Sequence, residues 1–183
     1  MSPLLEPSVS FAAPAMPTPA SPIAVAIAAA GPTAIGAIAA VRVGDAAPAL
    51  AIPAVVLGVA AATLPALYIA TAVTGAAPPL DRVARAVGRA LVALGLVALG
   101  LAAPLLFLTT TTTEPSTAFA LTSVALVTAL AIGLRVLHRE LWGPGARGLG
   151  RDATFLVWAA AAMIIGARLY GELAPVATAG VAP

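Results

Sequence analysis

The chain has 183 residues, of which 61% are hydrophobic and only 9% are charged, with a formal net charge of +2. A soluble domain carries about 25% charged residues, so this composition places the chain in the membrane class and excludes an ordinary water-soluble fold. The nine basic residues are all arginines at the ends of apolar runs and form no basic face, which speaks against nucleic acid as a partner. With no cysteine there is no disulfide frame, no thiolate metal site and no cysteine nucleophile. Arginine without lysine, together with abundant Ala, Gly and Pro, suggests a GC-rich coding bias and hence a bacterial inner (plasma) membrane protein.

Residues 1–45 form a Pro/Ala-rich N-terminal segment. Met1–Ser21 contains Pro3, Pro7, Pro14, Pro17 and Pro19 with Glu6 as its single charge, and is expected as a disordered or polyproline-like tail. Ile23–Val41 is long enough to span but consists mostly of Ala and Gly, with Pro32 in the middle. Alanine contributes little transfer energy compared with Leu or Ile. The segment is therefore expected to be irregular or to lie at the interface, with an extra span and a cleaved signal as the alternatives.

Residues 46–173 are predicted to form the membrane domain. Ala51–Val73 is the first firm span, with Pro53 at its start and Pro65 inside it, where it should bend the helix. A Gly75-Ala76-Ala77-Pro78-Pro79 break follows, and Asp81 is the expected N-cap of the next helix. Arg82, Arg85 and Arg89 then recur on one helical face, with Val83, Val87 and Leu91 opposite, as an amphipathic lead-in.

Ala90–Leu108 and Ala118–Leu134 are uncharged runs of span length, since a hydrocarbon core of roughly 30 Å needs about 20 helical residues. Backbone polar groups have no partner in lipid, so both must be helical. Thr109–Thr117, with Glu114 and Pro115, reads as the polar turn between them. Arg135–Trp142 should carry the helix out of the bilayer to Gly143-Pro144-Gly145. Asp152 is the expected cap of the last span, 153–170, with Arg168 and Tyr170 at its far boundary and a surface contact between Arg168 and Glu172. Residues 174–183 are expected as a short tail.

The fold class predicted is therefore an all-α integral membrane protein: four transmembrane helices, with a fifth as the alternative, in a small up-down bundle. The arginine loops are expected on the cytoplasmic side and Thr109–Thr117 outside, at an end without basic residues. Arg82, Arg85, Arg89, Arg135, Arg139, Trp142 and Tyr170 are the predicted lipid-headgroup or interface anchors. His138, the single histidine, is read as an interfacial polar residue, with a lone axial ligand as the alternative.

No catalytic, metal or cofactor motif can be assembled from the residues present, so no catalytic residue and no cofactor is predicted. The function expected is that of a small non-enzymatic subunit that packs with itself or with larger membrane partners, embedded in membrane lipids. A passive channel or small-molecule transporter is the alternative.

Overall fold

The computed structural model describes residues 21–73, 78–143 and 148–179. These residues form five α-helices: α1 (Pro22–Val43), α2 (Ala47–Val73), α3 (Leu80–Thr111), α4 (Pro115–Trp142) and α5 (Leu149–Ala179). All five are long and apolar enough to cross a membrane. The expectations for residues 1–20, for Gly75-Ala76-Ala77, for Pro144-Gly145 and Arg147, and for residues 180–183 fall outside the described residues.

Among the described residues the bundle has five span-length helices; Pro22–Val43 is a regular helix and not an irregular segment, which favours the fifth span given as the alternative. Local chemistry explains its bounds. Ser21 caps it by accepting from the Ala24 N–H at 3.1 Å, and Pro22 stands where its missing N–H costs nothing. Gly44 ends it in the left-handed region (φ 74°) and donates its N–H to the Ala40 carbonyl. The low transfer energy of alanine is offset by cover from the protein itself. In α1, 39% of the most apolar window is buried, the largest share of the five, against 11% in α5.

That burial follows from the packing order. α1 lies between α2 and α3, which are neighbours in sequence but scarcely touch; α3 continues the row to α4, and α2 continues it to α5. Paired glycines set the α1–α3 crossing: a Cβ on Gly31 would stand 2.3 Å from the Gly95 carbonyl oxygen, and one on Gly95 would stand 2.2 Å from that of Ile27. Two apolar layers hold the row together. Ile35, Ile52, Val56, Leu94, Leu105 and Leu126 belong to one, and Leu67, Val83, Leu137, Leu141 and Phe155 to the other.

The threonine turn is shorter than the sequence suggests. α3 runs through Thr111, and only Thr112–Glu114 leave the helix before α4 begins at Pro115. Thr109, Thr110 and Thr111 remain helical, and there each hydroxyl donates back to carbonyls one turn earlier, as in Thr109 Oγ1 to the Leu105 carbonyl at 2.8 Å. This end also carries a basic residue, against expectation. Arg42 at the close of α1 donates through Nη2 to the carbonyls of Thr112 (2.6 Å) and Thr113 (2.9 Å).

Neither predicted aspartate cap holds. α3 starts at Leu80 and Asp81 instead pairs with Arg85, while α5 starts at Leu149 and Asp152 turns to His138. α5 continues beyond the expected boundary at residue 170, so most of the predicted tail is helical. Arg168 and Glu172 make no ion pair among the described residues.

Candidate functional site

The row of helices curls back on itself, and its two ends do not close. α5 makes scarcely any close backbone approach to α4. Side chains bridge the two helices at two levels instead. At the arginine end, His138 Nε2 lies 3.0 Å from Asp152 Oδ1, and the His138, Trp142 and Phe155 rings gather with centroids 5.0–5.5 Å apart. At the threonine end, Tyr170 of α5 stacks on Phe119 of α4, with centroids 5.5 Å apart and planes at 16°.

Between these struts lies a chamber of about 290 Å³. Its walls come from α2 (Ile52, Val56, Val59), α3 (Leu91, Leu94), α4 (Leu126, Leu130, Leu137) and α5 (Trp158, Met163, Tyr170). Gly133 forms part of the wall where α4 comes close to α3; a Cβ there would stand 3.2 Å from the Ala90 carbonyl oxygen. No charged side chain lines the chamber.

Its polar groups fall into two pairs. Toward the arginine end, Trp158 Nε1 donates to the Thr63 carbonyl at 3.1 Å, and Thr63 Oγ1 donates to the Val59 carbonyl of its own helix at 2.8 Å. Nearer the threonine end, Tyr170 and Ser123 both line the space, and the Ser123 hydroxyl donates to the Phe119 carbonyl at 2.9 Å. Everything else facing the space is apolar. Such a chamber can accommodate hydrocarbon and offer it a few polar contacts.

The predicted anchors sit largely apart from this chamber. Arg82, Arg135 and Arg139 are exposed and make no ion pair among the described residues. Arg85 pairs with Asp81 at 2.5 Å on the exposed face of α3, and Arg89 reaches Glu140 of α4 at 2.7 Å. All five arginines therefore share one end of the bundle. Trp142 is half-buried among the rings of the arginine-end strut, and its indole N–H has no acceptor among the described residues. Tyr170 alone of the predicted set lines the chamber.

The sequence reading missed Ser123, Thr63 and Trp158 as a set. Sparse hydroxyls and an indole within otherwise apolar spans were the available signal. His138 stands opposite Asp152, and the described residues hold no group of three or more metal-ligating side chains around it. Comparison with known proteins finds no matching family, no matching curated protein and no matching solved structure.

Proposed function

We propose that the chain is a small non-enzymatic membrane subunit whose bundle holds a lipophilic molecule inside the bilayer. The observation that carries this reading is the chamber of about 290 Å³ between α2, α3, α4 and α5. An apolar cavity of about 150 Å³ in a protein core admits benzene. By the same measure this one has room for about a dozen carbon atoms. It lies at the level of the apolar spans, where alkyl chains are the surrounding medium, and the parted backbones of α4 and α5 leave a route from the side.

The chamber favours lipophilic cargo over the passive ion path that was the alternative from sequence. An ion needs polar groups or water to replace its hydration shell, and the lining offers almost none. Assembly with itself or with larger membrane partners belongs to the same proposal. α5 presents Leu156, Val157, Ile164, Ile165 and Leu169 outward, a face for neighbouring helices or lipid. By the positive-inside rule the arginine end faces the cytoplasm and Thr112–Glu114 the outside. The odd number of spans then puts the start of α1 on the cytoplasmic side.

Extraction into polymer-bounded native nanodiscs, followed by mass spectrometry of the retained lipids, tests the proposal. The wild type should retain a distinct lipophilic species that is depleted from Ala162→Trp, which fills the chamber. Equal retention by the two proteins, at equal helical content, would end it.

A further inference from the structure

Resting on the reading of the chamber as a lipophilic site, we infer that its occupant is one acyl chain of an anionic phospholipid, whose phosphate is held outside the chamber by Arg135 and Arg139. At the arginine end the acidic residues are already engaged: Asp81 with Arg85, Glu140 with Arg89 and Asp152 with His138. Arg135 and Arg139, one turn apart on α4 and both exposed, meet no carboxylate among the described residues. Two such guanidinium groups suit a phosphate, whose oxygens accept several charge-assisted hydrogen bonds at once.

Their position ties them to the seam between α4 and α5. Arg135 precedes Trp142 by seven residues, so the two share a face of α4, and the Trp142 ring meets Phe155 of α5 with centroids 5.5 Å apart. Arg135 also follows directly on Leu134 and stands two residues before Leu137, both of which line the chamber. The pair of arginines is therefore level with the arginine end of the chamber, on the outer side of the wall that α4 supplies.

The chamber itself takes the chain and refuses the head. No charged side chain lines it, and a buried ion without a partner is costly, so the phosphate stays outside. From Trp158 to Tyr170 the chamber extends about 18 Å along α5 at 1.5 Å rise per residue. A volume of about 290 Å³ spread over that length is narrow and suits one chain of about a dozen carbons, which leaves the second chain in the bilayer. The stack of Tyr170 on Phe119 bridges α4 and α5 at the far end. A neutral lipid would fill the space without using the arginines, and a free phosphate ester would do the reverse. An anionic phospholipid uses both.

The test uses the full chain in phosphatidylcholine nanodiscs with trace photoactivatable lipids and maps the labelled residues by mass spectrometry. The probes are a phosphatidylglycerol and a phosphatidylcholine, each with a diazirine midway along one acyl chain. Phosphatidylglycerol should label chamber residues such as Leu126 and Met163 about 25-fold more than phosphatidylcholine does, from about fivefold for each of two arginines. In the Arg135→Gln/Arg139→Gln double variant its labelling should fall to the phosphatidylcholine level, while phosphatidylcholine labelling stays unchanged, which shows that the chamber is intact. Arg82→Gln, which removes a like charge from the same end of the bundle, should keep the preference. Excess soluble glycerol phosphate should not compete; competition would assign the arginines to a free phosphate ester and overturn the lipid. Equal labelling of the chamber by both probes in the wild type overturns the headgroup site and leaves the lipophilic site standing. A preference that survives the double variant, or that Arg82→Gln abolishes equally, overturns the assignment to Arg135 and Arg139. Labelling by neither probe inside the chamber overturns this inference and the proposed function together.

Discussion

Replacing Gly95 with alanine should push α1 off the bundle. The added Cβ would sit 2.2 Å from the Ile27 carbonyl oxygen and 3.0 Å from the Ala28 Cα, both backbone atoms that cannot rotate aside. Relief to the 3.0 Å below which Cβ atoms are essentially never found needs a shift of at least about 0.8 Å. α1 is a continuous helix, so the movement is shared along it and opens the layer where Ile35 meets Leu94 and Ala98. A radial gap of about 0.5–1 Å forfeits a quarter to a half of each dispersion contact.

Together with the overpacking itself, the expected loss is about 2–3 kcal/mol. Gly100→Ala and Gly58→Ala are the controls: nothing lies within 4 Å of a Cβ at either position. They should be neutral or stabilising by up to about 1 kcal/mol, because alanine is the better helix former. Reversible unfolding in mixed micelles, followed by circular dichroism, measures all three. A Gly95→Ala variant with the same unfolding midpoint as Gly100→Ala would refute the close crossing and with it the place of α1 in the row.

Other substitutions probe the struts and the corner. Arg42→Gln should cost about 1 kcal/mol, below the usual range for hydrogen bonds from a charged group because the site is exposed, and should raise hydrogen exchange at Thr112–Glu114. Phe119→Ala removes the stack with Tyr170; a loss of about 1 kcal/mol and faster exchange at the threonine end of α5 are expected, whereas unchanged exchange would show that the stack does not hold α5. Trp158→Phe leaves the Thr63 carbonyl without its indole donor and should cost about 1 kcal/mol, read from the same micelle titration. Arg89→Ala should change stability by no more than about 1 kcal/mol, with any effect fading in high salt, because its pair with Glu140 is largely exposed.

Hydropathy and span length made most of the helices legible, because a long uncharged run has few alternatives to a helix in lipid. The lead-in at Arg82, Arg85 and Arg89 was legible for a similar reason: Val83 is wholly buried opposite arginines that face outward. α1 was misjudged because its alanines were weighed against lipid, while in the fold they meet protein. Ser21-Pro22 and Gly44 were the start and stop signals that favoured a helix there. The threonines misled in the other direction, since β-branching lowers helix propensity only slightly and the continuing apolar helix overrides it.

The chamber was not legible at all. It arises from the spacing of α4 and α5, and its Leu, Val and Ala lining is the same composition that faces lipid elsewhere. What could have pointed to it was the presence of Thr63, Ser123 and Trp158 in runs where every polar group needs a partner.

The most direct test of the five-helix arrangement is the sidedness of single cysteines, clean in a chain that has none of its own. Ser21→Cys, Asp45→Cys and Thr113→Cys would each be treated with an impermeant maleimide in vesicles of known orientation. Cysteines at 45 and 113 should react from one face and the cysteine at 21 from the other, because α1 crosses the bilayer between them. Labelling of residues 21 and 45 from the same face would contradict α1 as a span and take the packing order down with it.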